Sequence, residues 1–285
     1  MDPLPFTPHL HLQCGKFRLS LERPLIMGVI NITPDSFSDG GHHFDTGRAI
    51  EHARLLIEEG ADLLDIGGES TRPGAAPVPL EEERRRVLPV LKALAGGKFP
   101  VSVDTRKPEL MREAIAAGAD MVNDVGALAA PGALAAVAAS PAAVCLMHMR
   151  GEPGTMQANP SYRDVVREVR DYLSGRIAEA EQAGIPRDRI VADPGFGFGK
   201  NLEHNLALLR SFSDFGTLGV ALLAGLSRKA MLGKITGREV GDRVHASVAA
   251  ALIAAQNGAH VVRVHDVAAT RDALAVWRAV MSNGS

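Results

Sequence analysis

Ile190-Val191-Ala192-Asp193-Pro194-Gly195-Phe196-Gly197-Phe198-Gly199-Lys200 joins a short apolar run to a carboxylate and then to a glycine-rich loop. Three apolar residues are too few for a helix and read as a buried strand. The Asp-Pro step ends it, because the residue before a proline is steered away from helical angles. Asp193 is therefore expected at the C-terminal end of a strand, and the alternating glycines let the backbone approach a ligand closely. Taken alone, the stretch is equally an Asp-Pro turn with loop glycines. It is not a nucleotide loop. A P-loop would need glycine where Pro194 stands and Ser or Thr after Lys200, and a dinucleotide fingerprint would need glycine at Lys200.

The same layout recurs along the chain. Residues 25–30 form an apolar run ending at Asn31 before a loop over 33–41, and residues 63–66 carry Asp65 and open into a loop over 67–74. The run 101–103 ends at Asp104, 121–122 at Asn123 and Asp124, and 143–147 at His148. The run 220–224 opens into Gly225-Leu226-Ser227-Arg228-Lys229, and Val261-Val262 into Arg263-Val264-His265-Asp266. Helices are expected between the runs over 47–59, 80–95, 109–117, 162–183 and 243–256, a short one up to 232, and a last one over 268–281. Gly60 closes the first, and Pro108 stands where a helix start tolerates it.

Eight apolar runs that begin about 35 residues apart and alternate with helices are parallel βαβ units, and eight such units close a barrel. The expectation is an α/β chain with a single (β/α)8 barrel over 25–285, preceded by a segment, 1–24, whose weak alternation around Gly15-Lys16 predicts a small hairpin. A doubly wound open sheet would gather its ligand residues at one switch point. Here polar residues end all eight runs. A barrel brings those ends to one face, collecting Asn31, Asp65, Asp104, Asn123, His148, Asp193, Lys229, Arg263 and His265 into one pocket.

Composition narrows the partners. With 285 residues, 46% of them hydrophobic, the chain can bury one large core. A formal charge of −2 lacks the basic excess that a nucleic-acid backbone demands, so no nucleic-acid partner is expected. Cys14 and Cys145 have neither CxxC spacing nor a disulfide framework, which suits a reducing compartment. The ten histidines show no zinc pattern; the pairs His9/His11 and His42/His43 are expected to be solvated. No apolar run reaches about 18 residues, and no signal-like segment opens the chain, so the expectation is a cytoplasmic protein with no membrane partner.

Sorted by chemistry, the pocket holds acceptors at Asp65, Asp104 and Asp193, amides at Asn31 and Asn123, and cations at Lys229, Arg263 and His265. Ser227 has no histidine or carboxylate beside it in sequence, so no activated nucleophile is expected. A carboxylate, an amide and an ammonium in a dry cavity match a flat heterocycle with donor and acceptor edges, each unmatched buried atom costing about 1–3 kcal/mol. Arg263, His265 and the start of the last helix follow the eighth strand, in many barrels part of a phosphate site. Lys200 is expected as a solvated loop lysine.

Five stretches carry a resemblance. They are Gly28 to Gly40, Asp65 to Gly74, Asp193 to Lys200, Gly225-Leu226-Ser227-Arg228-Lys229 and Arg263-Val264-His265-Asp266-Val267, with Val103-Asp104-Thr105 and Val122-Asn123-Asp124 in support. Together they resemble the dihydropteroate synthases, from about Leu12 to the last helix. Gly219 departs from the pattern, which has proline there, as does Arg106. The resemblance implies condensation of 6-hydroxymethyl-7,8-dihydropterin diphosphate with para-aminobenzoate, with Mg²⁺. It implies that Asp104, Asn123, Asp193, Lys229, Met147 and Gly197 hold the pterin, that Asn31, Thr71, Arg263 and His265 take the diphosphate, and that Asn31 ligates the metal. Phe37, Thr71, Arg72, Pro73, Phe198, Ser227 and Arg228 are implied to meet the benzoate, with Asp65 in support. The resemblance also implies a homodimer built through late helices. A non-catalytic pterin-binding paralogue and a pterin-dependent methyltransferase domain are the alternatives.

Overall fold

Alternate residues of each apolar run go to opposite sides of a strand, so a run that is apolar throughout has to be buried on both faces. In the computed structural model, which describes residues 11–32, 42–70, 75–152 and 154–282, eight parallel strands form a closed barrel. They are β3 (Leu25–Asn31), β4 (Leu63–Gly67), β5 (Val101–Asp104), β6 (Met121–Asp124), β7 (Ala143–Met147), β8 (Ile190–Asp193), β9 (Ala221–Ala224) and β10 (Val261–Val264). They follow one another in chain order, and β10 closes on β3 with Val264 beside Gly28.

The outward residues are Ile26, Ile30, Leu64, Ile66, Val101, Val103, Val122, Val144, Leu146, Ile190, Leu222, Val262 and Val264. All belong to one core shared with the surrounding helices. The inward residues begin apolar at the N-terminal end, with Met27, Leu63, Met121, Ala143, Cys145, Val191, Leu223 and Val261 filling the interior. Toward the other end they turn polar. Parallel strands buried on both faces need such apolar runs, and the change of side-chain type marks where the interior stops being core.

Helices α1 (His42–Glu58), α2 (Leu80–Leu94), α3 (Pro108–Ala116), α4 (Ala133–Ala138), α5 (Val165–Gln182), α6 (Leu202–Arg210), α7 (Ala230–Thr236), α8 (Val244–Gln256) and α9 (Val267–Met281) surround the barrel. The sequence expectations placed no helix at α4 or α6. The α4 segment is a six-residue, alanine-rich helix with no polar face to set a period. The α6 helix carried a signal that went unread, a capping box in which the Asn201 side chain accepts from His204 N and Asn201 N donates to His204 Nδ1. The departure at Gly219 has a backbone reason, since its φ of 69° is closed to proline.

The expected hairpin is present as β1 (His11–Cys14) and β2 (Phe17–Ser20), antiparallel around Gly15. Leu12, Cys14 and Leu21 pack on the apolar N-terminal interior of the barrel, so the hairpin plugs the end away from the polar strand termini. Leu12 is 1% exposed. Leu12→Ala should therefore cost about 2–5 kcal/mol of stability in denaturant unfolding while the activity of the folded fraction stays unchanged; a loss below about 1 kcal/mol would show that the plug is not part of the cooperative core.

Candidate active site

Strand register sets the first layer of the site. Asn31 pairs with Gly67, Gly67 with Asp104 and Asp104 with Asn123, so β3 to β6 end level with one another. Asp65 lies two residues below Gly67 on the same inward face. From β10, on the other side of β3, Arg263 reaches into the barrel: its Nε donates to Asp65 Oδ2 at 2.6 Å and its Nη2 to Asp104 Oδ2 at 3.0 Å. Asn123 Nδ2 donates to the same Asp65 oxygen at 3.0 Å.

Burial and charge pull against each other here. Burial pushes the Asp104 carboxyl up to about 7, Arg263 opposing it while Asp65, Glu83 and Asp124 reinforce the rise. Burial disfavours the Arg263 cation as well, but Asp65 and Asp104 outweigh it and hold its pKa above the usual value. Asp193 is also raised by burial, against the Gly195 amide, Lys229, Lys200 and Arg263.

The stretch 193–200 forms the second wall. Gly195 N donates to Asp193 Oδ1 at 2.7 Å and turns with a φ of 70°, placing the backbone so close that a Cβ there would lie 2.0 Å from the His148 carbonyl oxygen. Only glycine fits. Gly197 packs against the Lys229 stem, and the Lys229 ammonium stands 4.1 Å from the centre of the Phe198 ring, a cation–π contact. Met147 is paired with Asp193 and packs with Phe198, Val125 and Met156.

The loop after β9 forms the third wall and is tied to the loop after β10. Ser227 Oγ accepts from His265 N at 3.2 Å and lies 3.0 Å from His265 Nδ1. Arg228 has a φ of 58°, unusual for a side-chain-bearing residue, and donates twice to Asp266, at 3.2 and 2.6 Å. Its backbone is gripped from α8: Arg228 N donates to Ser247 Oγ at 2.9 Å, and Arg243 Nη1 donates to Arg228 O at 3.1 Å.

The site therefore unites Asn31, Asp65, Asp104, Asn123, Met147, Asp193, Gly197, Phe198, Ser227, Arg228, Lys229, Arg263 and His265 around the C-terminal ends of the strands. Phe37, Thr71, Arg72 and Pro73 lie outside the described residues. Three expectations change. Ser227 does have a histidine partner, 38 residues on, which reads as a tie between two loops because the same hydroxyl oxygen also accepts the His265 backbone N–H. Lys200 is not solvated but 2% exposed, and His148 turns its ring toward Lys200 and Tyr172 rather than into the pocket. Asn205, Ser247, Arg243 and Asp266, which hold the walls in place, went unread; only the capping residue Asn201 hinted at Asn205.

Among the described residues no three His, Cys, Asp or Glu side chains cluster as a metal cage. Asn31, half-buried at the end of β3, places Oδ1 beside Gly67, whose other neighbour is Asp104. One neutral oxygen at a rim suits a hard ion that takes its remaining ligands from an anionic substrate and water.

Comparison with known proteins gives a consistent result. Residues 27–265 match the family model described as pterin binding enzyme. The chain is 52% identical over 278 residues to the dihydropteroate synthase of Neisseria meningitidis serogroup B, covering 95% of this chain and 98% of that protein. The Xanthomonas albilineans dihydropteroate synthase structure with 4-aminobenzoic acid superposes with a TM-score of 0.91 at 56% identity, covering 96% of this chain and 99% of that one. A structure of the enzyme from the same organism with 7,8-dihydropteroate gives 0.86 at 50% identity, covering 97% and 100%.

The Asp104 carboxyl is expected to titrate near 7 in the free protein. A folded-state value above the unfolded one means that the folded state holds its proton more tightly, so this group's contribution to stability falls as pH rises from about 4 to 7. Carboxyl ¹³C NMR, assigned with Asp104→Asn, measures the midpoint; a value near 4 would contradict the burial argument.

Proposed function

We propose how this chain works from one premise: it belongs to the pterin-binding enzymes and, within them, to the dihydropteroate synthases. It is a transferase of folate biosynthesis that condenses 6-hydroxymethyl-7,8-dihydropterin diphosphate with para-aminobenzoate, giving 7,8-dihydropteroate and pyrophosphate. The observation that carries the residue-level reading is the single guanidinium shared by Asp65 and Asp104, with Asn123, Asp193 and Lys229 around it.

Asp193 accepts from the pterin 2-amino group and ring N–H, while Lys229, which can only donate, meets the ring carbonyl and N5. Asp104 and Asn123 take the remaining polar edge, and Met147 and Gly197 line the ring. Arg263 has five N–H donors, two of them spent on Asp65 and Asp104, and the others face the diphosphate together with His265, Thr71 and the first turn of α9. Ser227, Arg228 and Phe198 meet the benzoate, and the loops bearing Phe37, Thr71, Arg72 and Pro73 cover it.

Asn31 would hold a magnesium ion, and when bound that ion would supply Lewis-acid neutralisation of the leaving group. The arylamine is neutral and nucleophilic at pH 7 and needs no strong base. We infer that the carbon–oxygen bond to the diphosphate breaks first. Arg263, His265 and the helix terminus stabilise the charge that grows on the departing oxygens, and Asp104 and Asp193 face the positive charge left on the pterin. The amine nitrogen then bonds to the methylene carbon and releases its proton.

Two further readings concern setting. Large apolar side chains stay exposed late in the chain, at Ile235 of α7, Ile253 of α8 and Val276, Val280 and Met281 of α9. They support a homodimer through these helices, and sedimentation equilibrium at micromolar concentration decides it. Cys14 and Cys145 are buried thiols, which supports the cytoplasm; cell fractionation checks that. No helix among the described residues is long and apolar enough to cross a membrane.

The purified protein should release pyrophosphate at full rate only when both substrates and Mg²⁺ are present; no release with all three would overturn the reading. Asp193→Ala should weaken a pterin analogue by about a hundredfold in calorimetric titration and leave pyrophosphate affinity near wild type, since charge-assisted bonds to a buried ring are each worth about 1.5–3 kcal/mol. Wild-type pterin affinity would remove Asp193 from the pterin subsite.

A further inference from the structure

The least expected group in the molecule is the Lys200 ammonium, deep beneath the turn that carries Gly195 to Phe198. Three described partners of its Nζ are backbone carbonyl oxygens, which can only accept, Gly195 O at 2.9 Å, Phe198 O at 3.0 Å and His148 O at 3.3 Å, and the fourth is His148 Nδ1 at 2.9 Å. A neutral amine has two N–H groups, whereas three carbonyl oxygens call for three donors. Burial pulls the Lys200 pKa well below its usual value, with Asp193 opposing, but the three carbonyl acceptors offset that cost and the geometry is that of an ammonium. His148 Nδ1 is then unprotonated, and the ring carries its single proton on Nε2. Burial, reinforced by Lys200 and Arg150, holds the His148 pKa down to about 3, so the ring is neutral.

What this cation holds is the pterin wall. The Gly195 peptide whose carbonyl it binds begins at the N–H that donates to Asp193 Oδ1, and the Phe198 whose carbonyl it binds carries the ring beneath Lys229. Asn205 secures the middle of the turn by accepting from Gly197 N at 2.7 Å. Asp193 is faced by Lys229 from the loop after β9, by Arg263 from β10, by the Cys145 thiol from β7 and by Lys200 from its own loop, with Asp65 and Asp104 beyond Arg263. We propose that Lys200 is a positioning residue of the pterin subsite: its buried ammonium fixes the Gly195–Phe198 turn and supplies countercharge that keeps Asp193 an ionised, acceptor-only carboxylate. The proposal rests on the pterin role given to Asp193 above.

A lysine that only stapled the loop would change stability without moving the pH dependence of pterin binding. Countercharge makes a different forecast. Without Lys200 the Asp193 pKa rises, and because the ionised form is the one that binds, affinity is lost at higher pH as the solution is acidified. In full-length Lys200→Met and Lys200→Gln, the acid limb of pterin-analogue affinity should move up by roughly one pH unit and affinity at pH 7 should fall about tenfold, while pyrophosphate affinity stays within about twofold. An acid limb at the wild-type position in both variants overturns the proposal. Asp193→Asn is the control. If it binds the analogue like wild type, the pterin assignment itself has failed; if it binds poorly while both Lys200 variants match wild type, only the role of Lys200 has. Should neither Lys200 variant fold, ¹⁵N NMR of histidine-labelled wild-type protein decides. A His148 that keeps a bare Nδ1 down to pH 5 supports the buried ammonium, and one that protonates on both nitrogens near its ordinary value overturns it.

Discussion

One carboxylate oxygen, Asp65 Oδ2, accepts from both Arg263 Nε and Asn123 Nδ2, and the same guanidinium reaches Asp104. Four strands are joined through that contact: β10, which closes the barrel on β3, and β4, β5 and β6 beyond β3. Buried ion pairs of this kind return little net stability, because desolvation consumes most of the Coulombic gain. Their value is in fixing charge in advance. A guanidinium pinned by two aspartates cannot swing away when an anionic leaving group develops, and electrostatics that need no reorganisation lower a barrier most effectively. The other walls are built around this core contact, with Asp193 and Lys229 on one side and Ser227 with His265 on the other.

The barrel was legible because its strands are separated by regular helical lengths and end in polar residues. A stronger signal lay in the runs themselves. Residues such as Met27, Asn31, Leu63, Asp65, Cys145, Asp193, Val261 and Arg263 face inward, and in these strands the inward side chains change from apolar to polar along the length. Their alternate neighbours stay apolar and meet the helices. Read this way, each run states both where the core lies and where the pocket opens. The short α4 escaped because alanine carries no period, and α6 because its signal sat in a cap rather than in a pattern of apolar residues.

The site divides along the same line. Residues at strand ends could be collected once the barrel was inferred, since closure alone brings them together. Residues that act on other residues could not. Ser227 meets His265 and Arg228 meets Asp266 across 38 positions, and nothing local to either marks the pairing. Lys200 misled for a physical reason: a lysine in a glycine-rich loop is ordinarily solvated, and its burial here follows from three left-handed glycines, Gly195, Gly197 and Gly199, that turn the chain around the ammonium. Asp266, at the start of α9, adds a constraint of its own, spending its carboxylate on Arg228 instead of capping its helix.

These features describe a protein that prepares for the departure of an anion more thoroughly than for the arrival of a nucleophile. In the proposed placement cations and a helix terminus gather at the diphosphate, carboxylates gather where positive charge would remain, and the groups beside Ser227 and Arg228, His265 and Asp266, are spent on tying two loops together. The most direct test supplies the pterin diphosphate labelled with ¹⁸O at its bridging oxygen to enzyme and Mg²⁺, without para-aminobenzoate. Cleavage before attack predicts that the label moves into non-bridging positions of recovered substrate, or that pyrophosphate is slowly released. Label that stays in the bridge, with no pyrophosphate formed by an enzyme that turns over normally once the benzoate is added, would contradict it and establish direct displacement.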